Sequence, residues 1–301
     1  MGYCGAVSAP HPFSPSHHCS RGSFDLGVLQ AREDISQGLL RQIQSWKERE
    51  DVQDLAEEIS LDLVAAGCSA PDRPAVTQEE DAAICGLVRD GTITVDAAGK
   101  LVAIVRELRD TESSPDFLSG MAVDVRAALA ASGYSRDNFA YGSTPLPSWL
   151  SVFLQPEVRC RMEGMKASGL RYAVLGSSIG WLVFFGAVIF GVDSLGLEML
   201  PRMVAVAEGV RSRHQVIGAE FRAGDFLEEP LGGVGLVMLA SQCWDKHLVS
   251  AAGRKLAEEL PAGALAVDYT NALGPFLGEP RLVVEVPVSW NPAQRILVFE
   301  K

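Results

Sequence analysis

The sequence of residues 171–198, RYAVLGSSIGWLVFFGAVIFGVDSLGLE, decides the fold that we predict for this chain. A short apolar run leads into a turn at residues 176–180, a longer apolar run follows, and the stretch ends on Gly196-Leu197-Glu198. This order is typical of a strand, a ligand-binding turn, a helix and a second strand in a βαβ unit. The stretch therefore predicts the entrance to a cofactor site.

The predicted turn contains Gly176, Ser177, Ser178 and Gly180. Glycine adopts the tight backbone that links a buried strand to a helix, and the N–H groups at the start of that helix favour a polar or anionic ligand group. Glu198 follows Gly176 by 22 residues, a spacing at which an acid at the end of the second strand can bind ribose hydroxyls. The spacing predicts a cofactor that contains adenosine.

Two other interpretations of this stretch are open. Residues 172–192 contain no charged residue and are numerous enough to span a bilayer as a helix. Four glycines and two serines interrupt this run, however, and the alternation of strands and helices resumes after Pro201 with no further hydrophobic span. The stretch could also be an ordinary buried βαβ unit that binds no ligand. We predict a cofactor site and no association with a membrane.

Composition limits the partners that this chain can have. Its 301 residues are 48% hydrophobic, which is enough for one large domain or two modest ones. The formal net charge is −12, and residues 141–301 hold 14 basic and 16 acidic residues, so most of the negative charge precedes residue 141. Nucleic-acid binding depends on clustered Lys and Arg, and the sequence has neither such a cluster nor a basic tail. We predict no nucleic-acid partner.

The six cysteines are scattered without a paired C-x-x-C spacing, so the sequence predicts neither a zinc site nor a disulfide framework. A reducing, cytoplasmic compartment is the simplest inference. Residues 1–25 lack the basic start and apolar core of a secretion signal, and Ala6 stands where a myristoylation motif needs Ser or Thr. Their Ser/Pro-rich composition predicts a disordered tail, in which His17, His18 and Cys19 could touch a metal but form no predicted site.

Residues 26–136 are predicted to form a helical module. Apolar residues recur at helical spacing between Ile35 and Leu63, in one long helix or two. Thr77 and Glu80 then form a capping box for a short helix. We expect the module to cover one side of the next domain or to supply a homodimer surface. The remaining helix signals are the Asp90-Gly91 stop, the spacing of Leu101, Ile104, Val105 and Leu108, and the Ser114-Pro115 start of a helix that runs to Ser132-Gly133.

Residues 137–301 are predicted to form a second domain in which strands and helices alternate. The last two strands are linked by residues 291–294, and so short a link requires antiparallel pairing. The sequence thus predicts an α/β domain with a doubly wound, mostly parallel sheet that ends in an antiparallel hairpin. After residue 198, the predicted strands are 221–223, 234–239, 264–269, 282–290 and 295–300, and the predicted helices are 201–210 and 246–260.

This order of elements resembles the class I S-adenosylmethionine-dependent methyltransferases over the whole of residues 137–301. Dinucleotide dehydrogenases, by contrast, usually have a wholly parallel sheet and a G-x-G-x-x-G turn, whose second glycine is absent here. The resemblance implies S-adenosyl-L-methionine as the cofactor. It also implies that Glu198 binds the ribose, that Asp225 binds the adenine amine and that Phe226 packs on the adenine ring. The residues that it places at the methionine end are Gly176, Ser177, Ser178 and Gly180.

Within that class, the chain is most similar to the disruptor-of-telomeric-silencing family of histone lysine methyltransferases. This resemblance is carried by a helical module ahead of the catalytic half and by the segments Tyr141-Gly142, Gly196-Leu197-Glu198, Gly224-Asp225-Phe226-Leu227 and Val288-Ser289-Trp290. The chain departs from the family at two positions: Val174 replaces the acid of strand one, and Ser178 replaces the middle glycine of the turn. Ser177 and Ser178 could replace the hydrogen bonds that are lost. After strand four, the family's Asn-Asn pair is replaced by Ala240-Ser241-Gln242, and the Asn-Pro-Pro-aromatic signature of base and glutamine N-methyltransferases is absent.

Methyl transfer from a sulfonium is an in-line displacement, so alignment of the acceptor with the methyl group can supply most of the rate. His247 could act as a general base because imidazole titrates near neutral pH, or it could be a surface histidine. Tyr141 and Thr144 could close over the cofactor, or pack as an ordinary loop. The residues expected beside the acceptor are Ser241, Gln242, Trp244 and His247.

The predicted function is methyl transfer from S-adenosyl-L-methionine to a small-molecule acceptor. A protein lysine is the alternative acceptor, although the acidic charge and the lack of a basic tail argue against a histone in chromatin. A non-catalytic ligand-binding methyltransferase fold is a further alternative, for which Val174 and Ser178 are the grounds. An NAD(P)-dependent oxidoreductase is the last.

Overall fold

A computed structural model describes residues 76–140 and 142–301. The predicted disordered tail of residues 1–25, the predicted helix or helices between Ile35 and Leu63, and Tyr141 lie outside the described residues. No sequence feature before residue 76 is therefore tested, and the domain boundary near residue 136 stays a prediction.

Three helices form the described part of the predicted helical module, and all three were predicted. They are α1 (Gln78–Arg89), α2 (Val95–Glu112) and α3 (Pro115–Ser132). The capping box is confirmed, since the Glu80 N–H donates to Thr77 Oγ1 at 3.2 Å and the Thr77 N–H donates to Glu80 Oε2 at 2.9 Å. The apolar side chains of α2 are buried because they recur on one face, which packs against the sheet domain through a shared apolar layer.

The remaining elements build an α/β domain. A 3₁₀ turn, Arg136–Phe139, precedes α4 (Leu146–Phe153) and α5 (Pro156–Ser168). The strands are β1 (Arg171–Leu175), β2 (Ser194–Glu198), β3 (Ala219–Ala223), β4 (Val234–Leu239), β5 (Leu265–Asp268), β6 (Leu282–Val288) and β7 (Asn291–Glu300). Between them lie α6 (Trp181–Phe185), continued by a π-helical turn (Gly186–Phe190), α7 (Pro201–Arg213), α8 (Lys246–Glu259), a 3₁₀ turn (Asn271–Leu273) and α9 (Gly274–Leu277).

The sheet confirms the predicted fold class. Its seven strands have the order β3-β2-β1-β4-β5-β7-β6. The first five in this order are parallel, and β7 runs antiparallel to both β5 and β6. This is the mostly parallel sheet with an antiparallel C-terminal hairpin that the resemblance to class I methyltransferases implies. The carboxyl ends of β1 to β5 consequently meet at one edge, where ligands bind in open α/β sheets.

Helices cover both faces of the sheet, and β1 illustrates why. Tyr172 and Val174 contribute to the apolar layer that also contains α2, α4 and α6, whereas Ala173 and Leu175 contribute to the layer that contains α8. Successive side chains of a strand point to opposite faces, so a strand that is buried on both faces is a continuous apolar run. The uncharged stretch 172–192 is therefore divided between a strand, a turn and a short helix. Among the described helices, none is long and apolar enough to cross a membrane.

One predicted connection was wrong. Residues 291–294 were expected to link the last two strands, but the hairpin turns at Ser289-Trp290 and Asn291 already pairs with Val288. The Asn291-Pro292 pair is typical of a turn, which explains the error. Pro292 can lie in a strand because the register shifts between Val286 and Val288, and proline, which has no N–H, is tolerated at such irregularities.

Candidate functional site

The turn after β1 has the backbone that its glycines predict. Gly176 and Gly180 have φ angles of +75° and +97°, in the left-handed region that residues with a Cβ rarely adopt. A methyl group built on Gly180 would lie 2.6 Å from the ring of Phe221, so space as well as conformation requires glycine there. The Gly176 and Ser177 N–H groups both donate to the Leu197 carbonyl, at 2.9 and 3.1 Å. These bonds hold the turn over the end of β2.

Ser178 adopts a left-handed conformation with φ +52°, although it is not glycine. This backbone costs a residue with a Cβ about 1–2 kcal/mol, so the turn stores strain at the position where the resemblance implies glycine. The Oγ atoms of Ser177 and Ser178 are buried and, among the described residues, have no hydrogen-bond partner. Buried hydroxyls are normally paired, so these two mark a place where a polar ligand group can bind.

Glu198 ends β2, as predicted, and its carboxylate contacts the turn directly. Oε2 accepts the Ser178 N–H at 2.8 Å, and Oε1 accepts the Leu200 N–H at 3.0 Å. The residue is only 8% exposed, and this burial raises the pKa of its carboxyl group, while the backbone donors oppose the rise. Each oxygen has two lone pairs, so Glu198 can bind the turn and still accept a hydrogen bond from a ligand hydroxyl.

Asp225 and Phe226 follow β3 at the same edge of the sheet. The Asp225 carboxylate accepts the Leu227 N–H at 2.8 Å and a short hydrogen bond from the Tyr134 hydroxyl. Burial and this carboxylate together raise the pKa of Tyr134 well above its ordinary value, so its hydroxyl stays protonated and donates. The ring of Phe226 stacks on Trp244, with 5.0 Å between centroids and 14° between planes.

The loop after β4 contains three predicted acceptor-side residues. The Ala240 N–H donates to the Leu175 carbonyl at 3.0 Å, which fixes the start of the loop beside the turn. Ser241 is buried and its hydroxyl donates to Asp268, whereas Gln242 is exposed. Trp244 extends back towards the turn, because its Cζ2 would lie 3.6 Å from a methyl group built on Gly176. The loop therefore joins the acceptor side to the cofactor side.

Sequence reasoning missed Asp268, at the end of β5. It is 1% exposed, and its carboxylate accepts bonds from the Ser241 hydroxyl, the Tyr269 N–H at 2.8 Å and the Thr270 hydroxyl at 3.1 Å. Burial raises the pKa of this carboxyl group despite those donors. An acid at the carboxyl end of a parallel strand, next to the strand that ends before Ser241, is the signal that could have identified it.

Two of the short segments that carry the family resemblance meet in space. A methyl group built on Gly142 would lie 2.6 Å from the ring of Trp290, and the Ser143 N–H donates to Ser289 Oγ at 3.0 Å. Thr144 is buried and shares a short hydrogen bond with the Tyr269 hydroxyl. The loop that begins at the predicted site residue Tyr141 is thus held against the C-terminal hairpin and the end of β5 from residue 142 onwards.

His247, the fourth residue expected beside the acceptor, follows the loop after β4 and belongs to α8. It lies exposed in the first turn of α8, where its backbone N–H donates to Asp245 at 2.9 Å. Its side chain lines an open cleft of about 520 Å³ together with Ser132, Gly133, Tyr134, Ser135, Leu227, Asp245, Leu248 and Ala251. Within the described part of the chain, no group of three or more His, Cys, Asp or Glu side chains is placed to hold a metal ion.

Comparisons with known proteins give similarity in structure alone. No protein-family model matches the chain, and no curated protein matches it in sequence. Solved structures similar to this one include an RNA methyltransferase from Salinibacter ruber in complex with S-adenosyl-L-homocysteine, at 21% identity over 52% of this chain and 92% of that one, with a TM-score of 0.41.

Two further similar structures are a geranyl diphosphate C-methyltransferase from Streptomyces coelicolor and a fibrillarin from Aeropyrum pernix. The first, in complex with Mg²⁺, geranyl diphosphate and S-adenosyl-L-homocysteine, is 12% identical over 58% of this chain and 87% of its own, with a TM-score of 0.37. The second, with natively bound S-adenosyl-L-methionine, is 16% identical over 44% and 66%, with a TM-score of 0.35. All three TM-scores are below 0.5, so the fold class rests on the order and direction of this chain's own strands.

Proposed function

We propose that this chain is an S-adenosyl-L-methionine-dependent methyltransferase whose cofactor lies along the carboxyl edge of β1 to β4. The observation that carries the proposal is the contact between the buried Glu198 carboxylate and the Ser178 N–H, at 2.8 Å. It brings an acid at the end of β2 beside a left-handed turn at the end of β1, and a turn and an acid at these positions are typical of sites for adenosine-containing cofactors.

The residues at this edge fit the cofactor by chemistry. The buried hydroxyls of Ser177 and Ser178, which have no hydrogen-bond partner in the part of the chain that the structure describes, would bind the polar methionine end. At this end, the buried Val174 replaces the strand-one acid of the family that the chain resembles. Glu198 would accept hydrogen bonds from the ribose hydroxyls. Asp225 and Phe226 would contact the adenine amine and ring, once their present partners make room.

When bound, the cofactor supplies an electrophilic methyl group on a sulfonium, and the protein has to hold an acceptor in line with it. Ser241 is a candidate for this task, because its hydroxyl is oriented by Asp268 and its oxygen remains able to accept a hydrogen bond from an acceptor. Asp268 would act through Ser241 and is a positioning residue. Gln242 is exposed and would contact the outer part of the acceptor. Tyr141 would close over the cofactor.

We propose a small-molecule acceptor, since the acidic chain offers little attraction to a nucleosome or to nucleic acid. A protein lysine is the second candidate, and the contact of Gly142 with Trp290 favours it by joining two segments of the histone-methyltransferase resemblance. His247 is exposed on α8 and would act as a general base only for an acceptor that extends across the neighbouring cleft. A homodimer through the helical module and a cytoplasmic location stay predictions.

A thermal-shift comparison tests the cofactor. S-adenosyl-L-homocysteine should raise the unfolding temperature, since a ligand that binds the folded state stabilises it, whereas NAD⁺ and NADP⁺ should not. Stabilisation by a nicotinamide dinucleotide alone would favour an oxidoreductase. Transfer of a labelled methyl group, screened separately with a metabolite extract and with core histones, would identify the acceptor class. Binding without transfer in either screen would favour a ligand-binding protein.

A further inference from the structure

We propose that the adenine subsite of this chain is closed by two of its own side chains, Tyr134 and Trp244, and that a bound adenosine group displaces them. This inference rests on the proposed function, because it concerns the same cofactor site. It adds a conformational step that limits cofactor affinity and that the sequence did not predict.

The first observation concerns the aromatic wall of the subsite. Phe226 and Trp244 are nearly parallel, with centroids 5.0 Å apart. Aromatic pairs in direct contact have centroids about 4.5–7 Å apart, so no third ring fits between these two. The indole also lies close to the turn, since its Cζ2 would be 3.6 Å from a methyl group on Gly176. Trp244 thus fills the space between the turn and Phe226, which a nucleoside extending from one to the other has to occupy.

The second observation concerns the polar wall. The Asp225 carboxylate, the group expected to bind the adenine amine, accepts a hydrogen bond from the Tyr134 hydroxyl. Asp225 and Phe226 are adjacent in sequence, but their partners come from different parts of the chain, before β1 and after β4. Both groups that would contact a base are therefore engaged at the same time by unrelated side chains, and a base has to compete with both.

The third observation explains how the closed arrangement is held. Asn138, in the 3₁₀ turn, bonds Asp245 twice: its side-chain amide donates to Oδ2 at 2.8 Å, and the Asp245 N–H donates to its oxygen at 2.7 Å. Asp245 also caps α8 by accepting the His247 and Leu248 N–H groups, each at 2.9 Å. The 134–138 segment is therefore attached to the loop after β3 through Tyr134 and to the loop after β4 through Asn138. Trp244 lies immediately before the anchored Asp245.

The contacts that close the subsite are formed by half-buried side chains at the surface of the domain. Tyr134 and Trp244 pack against the apolar layer that contains α8, but both are only partly buried. Because Tyr134, Asn138 and Trp244 each belong to a loop or a turn, they can move outwards without disturbing a strand. Movement of this kind between two states is how loops at ligand sites commonly open. The apparent affinity for the cofactor is then lower than the intrinsic affinity by the fraction of open molecules.

The test is calorimetric titration of the full chain with S-adenosyl-L-homocysteine, using Tyr134→Phe, Asn138→Ala and Trp244→Ala. Tyr134→Phe removes only the hydroxyl on Asp225, and Asn138→Ala weakens the closed state without touching the base. We expect each variant to bind about tenfold more tightly than the unaltered chain, which corresponds to an open fraction of roughly 10%. Titration with adenosine should show the same gain, and circular dichroism should show that each variant is folded.

Trp181→Phe is the matched control. Trp181 is also partly buried, but its indole donates to Glu112 at 2.6 Å and packs edge-on against Phe185, on the side of α2. Its replacement should leave the affinity unchanged. Displacement of Trp244 should change the tryptophan fluorescence when the ligand binds. Trp244→Phe should abolish this change, whereas Trp181→Phe should retain it.

If folded Tyr134→Phe and Asn138→Ala bind no more tightly than the unaltered chain, the subsite is not closed by these side chains. The proposed function would still stand in that case, provided that the unaltered chain binds S-adenosyl-L-homocysteine. Absence of binding by the unaltered chain and by every variant would overturn the proposed function together with this inference.

Discussion

Replacement of Glu198 should affect both the stability of the fold and the affinity for the cofactor, because the same two carboxylate oxygens bind the turn and can accept hydrogen bonds from a ligand. The buried carboxylate accepts two backbone N–H groups, from Ser178 at 2.8 Å and from Leu200 at 3.0 Å. A buried donor that loses its partner costs about 1–3 kcal/mol. Glu198→Ala leaves two such donors, and the removal of a carboxylate whose charge is disfavoured by burial offsets part of this loss. We expect the free energy of unfolding to fall by about 2–4 kcal/mol.

Glu198→Gln should reduce both effects. Its amide keeps one oxygen, so one of the two N–H groups stays paired and the other faces an NH₂ group that cannot accept its hydrogen bond. The loss of stability should be about half of that in Glu198→Ala. Affinity for S-adenosyl-L-homocysteine should fall by about 100-fold in Glu198→Ala, which loses two charge-assisted hydrogen bonds to ribose, and by less in Glu198→Gln, which keeps one acceptor oxygen. Urea unfolding measures the first effect, and calorimetry on the folded variants measures the second.

The pH dependence gives an independent test of the Glu198 environment. Burial raises the folded-state pKa of Glu198 above the ordinary carboxyl value of 4.5, so the fold favours the protonated form. Its contribution to stability is therefore fully present below the unfolded-state pKa and is lost as the pH rises through the folded-state pKa. Relative to Glu198→Gln, the unaltered chain should gain stability as the pH is lowered from 7. A constant difference would contradict the assigned burial.

Glu163→Ala provides a control for the loss of a carboxylate. Glu163 is exposed on α5, where it pairs with Arg159 four residues earlier at 2.8 Å. Such surface pairs contribute about 0–1 kcal/mol, so this variant should unfold close to the unaltered chain and bind the cofactor equally well. If Glu198→Ala behaved like Glu163→Ala in urea, the carboxylate would not hold the turn. If its cofactor affinity were also unchanged, Glu198 would not belong to the site.

Two further replacements test the turn and the acceptor side. Ser178→Gly should raise the free energy of unfolding by about 1 kcal/mol, because glycine adopts φ +52° without strain. A decrease of about 1 kcal/mol in urea unfolding would show that Ser178 is not strained. Burial raises the folded-state pKa of Asp268 above the ordinary carboxyl value of 3.8, so the unaltered chain should lose stability as the pH rises above that value. Asp268→Asn should not show this loss. Parallel stability-against-pH curves for the unaltered chain and Asp268→Asn would contradict this.

Local signals explain why most of the fold was predictable. The β1-turn-β2 stretch was identified because buried parallel strands are apolar runs, and because the turn between strand and helix contains glycine where φ is positive, at Gly176 and Gly180. The capping box of Thr77 and Glu80 identified α1 for a similar reason, since both partners lie within one helical turn. The final hairpin was predicted, but its turn was misplaced because a register shift accommodates Pro292 in a strand.

The contacts within the site were less predictable because they join residues that are distant in sequence. Tyr134 and Asp225 are 91 residues apart, and Ser241 and Asp268 are 27 residues apart. Neither pair produces a periodic pattern, since each depends on which strands become neighbours in the sheet. The position of Glu198 followed from spacing alone, whereas its bond to Ser178 depends on the shape of the turn. The sequence could therefore indicate where the site lies, but not which side chains bond to one another within it.

The central claim is that the carboxyl edge of β1 to β4 binds S-adenosyl-L-methionine or its product. Calorimetric titration with S-adenosyl-L-homocysteine, performed on the unaltered chain, Tyr134→Phe and Glu198→Ala, tests it most directly. We expect one ligand per chain, tighter binding by Tyr134→Phe than by the unaltered chain, and binding about 100-fold weaker by folded Glu198→Ala. Absence of binding by both the unaltered chain and Tyr134→Phe, or equal binding by Glu198→Ala, would contradict it.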